Sequence, residues 1–153
     1  MTGVQTCALP ISAIAAEPRW SDVSRSRGDA YAARGEYELA KASFDSAILL
    51  DQRLGAAFSN RGAAHLRGGA IDRALADFDE AIRLDPRHAD AHFNRGLAWE
   101  RKGELALALA DFATVARLRP GDHDGRNAAL RIDRKSTRLN SSHIPLSRMP
   151  SSA

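Results

Sequence analysis

Apolar and small residues return along this chain at two spacings, one short and one long. Phe58, Gly62 and His65 fall at i, i+4, i+7, one stripe of a helix; after Gly68-Gly69 the stripe resumes at Ala74, Phe78 and Ala81 and continues to Leu84. This spacing predicts two helices joined by a glycine turn. Asp85-Pro86 then ends the second helix, because proline cannot extend the hydrogen-bond ladder and disfavours helix in the residue before it. Arg119-Pro120 marks the same boundary one unit later, whereas Gln52 stands at the corresponding place one unit earlier.

The long spacing is 34 residues, and it organises the chain. Gly28, Gly62 and Gly96 are related by it, as are Gly35, Gly69 and Gly103; Ala40, Ala74 and Ala108; Phe44, Phe78 and Phe112; and Leu50, Leu84 and Leu118. Arg27, Arg61 and Arg95 each precede the first glycine, and Tyr31, His65 and Trp99 follow it by three. A glycine inside a helix costs about 1 kcal/mol relative to alanine. That cost is offset if Gly28, Gly62 and Gly96 let the second helix of each pair approach closely. Ala40, Ala74 and Ala108 then face the contact from the other side, and the three phenylalanines fill the space beside it. No single pair buries its apolar face alone, so the expectation is three stacked pairs sharing one core.

This pattern of aromatic, glycine, alanine, phenylalanine and proline resembles the tetratricopeptide-repeat (TPR) family over about residues 21–120. The resemblance implies an all-α, right-handed α-solenoid of three helix-turn-helix pairs, at about residues 21–54, 55–88 and 89–122, inside a domain spanning 21–132. The first copy departs from the pattern, with Ser24 where a large apolar residue is usual. Asp122 to Ile132, with Ala128, Ala129 and Ile132, is similar to the start of a capping helix over 122–132.

Both ends read differently from the repeats. Residues 1–11 and 133–153 resemble translated sequencing-adapter sequence, and disorder is expected for both. Ser12 to Ala16, before Glu17-Pro18, is either a linker or similar to the cleavage end of a secretory signal peptide, which leaves both cytoplasmic and periplasmic locations open. The assignment of the ends changes how the charge is understood. The chain has 22 Lys/Arg and 19 Asp/Glu, but from Asp133 onward there are four basic residues against one acid, and residues 1–11 carry no charge. The region between is neutral, so its composition offers no footprint for nucleic acid. No stretch approaches the ~20 apolar residues of a membrane span, and the single cysteine, Cys7, excludes an internal disulfide.

By resemblance, the first helix of each pair lines a concave groove that holds a peptide. The groove positions are Asp22, Arg25, Ser26 and Asp29 in the first copy; Ala56, Ser59, Asn60, Ala63 and Arg67 in the second; and Asp90, Phe93, Asn94, Leu97 and Arg101 in the third. Asn60 and Asn94 are equivalent, and an amide offers both a donor and an acceptor to a peptide backbone. Chaperone-binding members use a carboxylate clamp of two lysines, two asparagines and an arginine. Here Arg25 and Asn60 could serve, but Asp29, Asp90 and Asn94 replace the rest, and acids facing a carboxylate repel it. Chaperone tails are therefore not the expected ligand; one with an apolar anchor and some basic character is.

Catalysis finds little in the sequence. His65 shares its place with Tyr31 and Trp99 and reads as packed, while His88 and His92, at i, i+4 with Asp90 between them, lack a third ligand for a metal. Neither nucleophile elbow, P-loop nor dinucleotide fingerprint occurs, so neither metal nor cofactor is expected. Asp77, Asp79, Glu80 and Asp111 read as a solvated outer face. The expected function is non-catalytic binding of a protein or peptide; the alternative is a structural segment of a longer TPR array, or of a multidomain protein truncated at both ends.

Overall fold

The computed structural model describes residues 19–121 and 123–141; residues 1–18, with the adapter-like start and the signal-like segment, and residues 142–153 lie outside them. Among the described residues there are seven helices: α1 (Trp20–Ala33), α2 (Tyr37–Leu50), α3 (Gly55–Arg67), α4 (Ile71–Leu84), α5 (Ala89–Lys102), α6 (Leu105–Leu118) and α7 (His123–Ser141). They pack chiefly in sequence order: α1 on α2, α3 on α4, α5 on α6, with α2 against α3, α4 against α5 and α6 against α7. The first helices also touch one another, α1 with α3 and α3 with α5, as an all-α helical repeat requires.

The triplicate small residues do what their period predicts. A Cβ on Gly62 would stand 2.8 Å from the ring of Phe78, and one on Gly96 the same distance from that of Phe112, closer than any side chain tolerates. Phe44, Phe78 and Phe112 are fully buried, as are Ala40, Ala74 and Ala108 beside them. The chain reverses after α5 at Gly103, whose φ of 89° is left-handed and open to glycine at little cost. Asp51 and Asp85 close α2 and α4 in extended conformation, each just before the junction residue, Gln52 or Pro86.

The last helix corrects an expectation. It was expected to end near residue 132, with disorder from 133 on; it runs through Ser141. From Arg126 to Ser141 the chain has neither glycine nor proline, so nothing local stops it. Its inner face is short: Gly125, Ala128 and Ile132 are buried against α6, and a Cβ on Gly125 would meet Val115 at 2.7 Å. Among the described residues no helix is long and apolar enough to cross a membrane.

Candidate functional site

The first helices carry the candidate residues, and the fold assembles only some of them. Asp29, Asn60 and Arg67 line one open cleft of about 530 Å³, with Ala63 of α3 and the α1–α2 turn at Arg34 and Gly35. Within it Asn60 and Asp29 are already joined. The Asn60 amide donates to Asp29 Oδ1 at 2.6 Å, and Arg25 donates to Asp29 Oδ2 at 2.9 Å, so both oxygens of Asp29 are engaged. Charge-assisted bonds of this length hold a side chain well in place. The cleft is thus braced from α1 to α3.

The third-copy residues are dispersed. Phe93 is half-buried, its ring tilted against Phe112 with centroids 5.5 Å apart, among Ala108, Ala128 and Ile132. Leu97 packs between that cluster and the one around Phe78 and Ala98. Both serve the core as much as any groove. Asp90 is drawn to the end of α6, where Arg119 donates to both its oxygens at 2.8 and 3.1 Å and holds its carboxyl below the usual range. Arg101 donates to the carbonyl of Leu66 at 2.7 Å, satisfying an acceptor at the C-terminal end of α3. Asn94 keeps its amide free of hydrogen bonds among the described residues, because Ala63 stands where Asp29 serves Asn60.

A second polar constellation was misread in the sequence. Asp77 and Asp111, expected on a solvated face, are buried at 6% and 4% exposure. Arg61 grips Asp77 through Nε and Nη2 at 3.0 and 2.6 Å, and its third nitrogen reaches Asp45 of the preceding pair at 2.6 Å. Arg95 repeats the arrangement on Asp111, at 2.9 and 2.7 Å, and on Asp79, at 2.7 Å. The hydrogen bonds that Arg61 donates to Asp77 and Arg95 to Asp111 raise both guanidinium pKa values above their ordinary level, against the opposing effect of burial. In the first copy Arg27 meets, among the described residues, only Ser43, at 3.2 Å. The signal was present: Asp77 and Asp111 lie 34 apart, like the arginines, and a charge that keeps the packing period is usually part of the packing.

The histidines are likewise occupied. His92 lies buried between Asp111 Oδ1, at 3.2 Å, and the carbonyl of Pro86, at 3.0 Å. His88 caps α5 by accepting from the Ala91 amide, so the two rings do not converge on one point. His65 lies 3.9 Å from Asp77 with its Nδ1 buried and unbonded. Among the described residues no three His, Cys, Asp or Glu side chains group as metal ligands do.

Comparison with known proteins places these helices in context. The TPR domain of Sgt2 from Aspergillus fumigatus is similar at 24% identity over 87% of this chain and 90% of that one, with a TM-score of 0.77. The TPR domain of Arabidopsis OM64 is similar at 26% identity over 74% and 94%, with a TM-score of 0.72. The second TPR domain of human RPAP3, solved in complex with an HSP70 peptide, is similar at 29% identity over 74% and 95%, with a TM-score of 0.70. Among curated proteins none matches the chain. A family model described as tetratricopeptide repeat matches residues 25–85 and again 59–123, across all three helix pairs, and the chain belongs to that family.

Proposed function

We propose that the chain is a non-catalytic scaffold that holds a peptide or a segment of another protein along the face formed by α1, α3 and α5. The observation that carries this reading is the open cleft at Asp29, Asn60, Ala63 and Arg67, lined from successive first helices. The similar domain of human RPAP3, solved with an HSP70 peptide, supports it as well. Asn60 is already spent on Asp29, so the amide that offers its donors and acceptor to a ligand backbone is Asn94. Asp29 and the exposed Arg67 flank the entrance, and the exposed parts of Phe93 and Leu97 supply the apolar anchor.

Carboxylate-terminated chaperone tails do not suit this face. Arg25 is neutralised by Asp29, and Asp90 stands where a clamp needs a cation. Binding of the peptide SGPTIEEVD, the one bound to human RPAP3, is expected to be weaker than about 1 mM, or about 4 kcal/mol. The deciding experiment selects a displayed library of random twelve-residue peptides on the full chain. Enriched clones are then measured by fluorescence anisotropy on wild type, Asn94→Ala, Arg67→Glu and, as a remote control, Leu49→Ser. The reading expects a loss of about tenfold or more at the first two, equal to about 1.4 kcal/mol, and none at the control. Clones that bind all four alike would place the ligand elsewhere and overturn it.

A further inference from the structure

The cleft beside α1 is a gap that the next repeat closes with its own side chains. Ala32 of α1 and Ala63 of α3 line it, and 34 residues on their places are taken by Leu66 and Leu97. Leu66 is buried, and Leu97 packs with it against Phe78 and Ala98. Phe44 and Ala64, the equivalents of Phe78 and Ala98, line the cleft with the two alanines. Each alanine is three carbons short of leucine, so the pair leaves out as much carbon as a phenyl ring holds. Tyr37, where Ile71 stands in the next repeat, adds an aromatic wall without closing the space, which still measures about 530 Å³.

The mouth of the cleft differs from its equivalent as well. Arg101 lies down on the neighbouring helix and donates to the carbonyl of Leu66 at 2.7 Å. Arg67, the equivalent residue, is exposed and meets no partner among the described residues. The other charges there are tied. Asp29 is held through both oxygens by Asn60 and Arg25, and Arg34 pairs with Glu36 at 2.8 Å. What the mouth offers a ligand is therefore a cation beside an apolar floor.

We propose that this cleft is a subsite for one aromatic side chain of the bound peptide, seated where the next repeat has its two leucines, with an acidic neighbour in the peptide paired to Arg67. The inference rests on the groove reading above and adds which ligand the groove selects. A ring supplies the carbon that the alanines lack and takes the apolar surface of Ala32, Ala63 and Tyr37 out of water. A carboxylate beside it meets a guanidinium, whose planar fork binds such groups through two parallel hydrogen bonds. A basic neighbour would face the same cation and be repelled. At this subsite the ligand's charge is thus opposite to the basic character expected from the groove positions as a set. Isoleucine, the residue before the acids of SGPTIEEVD, has no ring and fills the place only in part.

The test uses three blocked peptides, GSFEGS, GSAEGS and GSFKGS, titrated into the full chain while the Asn60 side-chain amide is followed by NMR. GSFEGS is expected to bind about tenfold or more tighter than GSAEGS, from burial of the ring. Its advantage over GSFKGS is expected to be about threefold or more, and Arg67→Glu should reverse that order. Ala32→Leu combined with Ala63→Leu fills the cleft as the next repeat fills it. The thermal midpoint of this chain should hold or rise, and its binding of GSFEGS should fall about tenfold or more. Should the double variant not fold, Ala63→Leu alone carries the test, with an expected loss of about threefold or more. Equal binding of GSFEGS and GSAEGS, or unchanged binding by the filled chain, would overturn the proposal. So would a molecular mass that falls on dilution in wild type and not in the filled chain, which would assign the cleft to a second copy. Library clones that depend on Asn94 yet bind the filled chain as tightly as wild type would sink the subsite and leave the groove reading standing. Clones indifferent to Asn94 and Arg67 would sink the groove reading and the subsite that rests on it.

Discussion

The first and third helix pairs share one packing skeleton and differ in what braces it. In both, a buried phenylalanine lies over a glycine with an alanine beside it: Phe44, Gly28 and Ala40 in one, Phe112, Gly96 and Ala108 in the other. In the third pair Arg95 then binds Asp111 with two nitrogens and Asp79 with a third, while His92 bonds the same Asp111. In the first pair Arg27 has a serine, and Ser24 stands in place of His92. The skeleton decides that a helix pair forms; the charged brace decides how firmly it is joined to the pair before it. The first pair keeps the fold without that charged brace.

The largest effect should come from breaking the skeleton. Phe112→Ala empties a fully buried site and is expected to cost about 3–5 kcal/mol, measured by urea unfolding. Phe44→Ala should approach it, since the skeleton is common; a far smaller loss there would mean that the first pair is not a full partner in the core. Breaking the brace should come next. Asp111→Ala leaves Arg95 and His92 without their shared acceptor in a buried place, at about 2 kcal/mol once the partial exposure of Arg95 is discounted. Ser43→Ala, the matched change in the first pair, removes the bond from Arg27 and the hydroxyl's own bond to the Leu39 carbonyl, and should cost about 0.5–1 kcal/mol. Equal losses at the two positions would erase the contrast. Ser43→Asp sharpens it from the other side: it installs the brace, and because Arg27 is exposed the gain should be no more than about 0.5 kcal/mol.

The smallest effect is in the pH profile. Burial pushes the His65 imidazole below its ordinary value of 6.5, more strongly than Asp77 pulls it up. The unfolded chain then takes up a proton more readily than the folded one. His65 therefore leaves stability intact above that ordinary value and lowers it as pH falls from there toward the depressed folded value. His65→Tyr, which copies Tyr31 of the first pair, should flatten this acid-side decline in midpoint temperature. A decline as steep as in wild type would assign it to other groups.

What could be read in the sequence follows from where each signal lies. The glycines, alanines and phenylalanines each recur in triplicate because the same close approach is made three times, so period alone exposed them. Asp77 and Asp111 also keep the period, yet a charged residue on an amphipathic helix reads as solvated unless its partner is known, and the partners here stand sixteen residues away on another helix. The cleft was harder still. Asn60 bonds Asp29 across 31 residues, and the next repeat has no counterpart because Ala63 replaces the acid, so nothing periodic marked the pair. Phe93 and Leu97 were placed on the groove by position, and the core claimed part of each, since a first helix three layers into a stack has little surface left to offer. The length of α7 escaped notice because resemblance to adapter sequence says nothing about helix propensity.

Arg61 and Arg95 each hold carboxylates from two successive pairs, and that has a mechanical side. Sliding one pair along the next has to break the contact to Asp45 or Asp79 while the other aspartate keeps the guanidinium fixed. The contacts to Asp45 and Asp79 therefore act as keys between successive pairs, fixing the register at which one pair sits on the next.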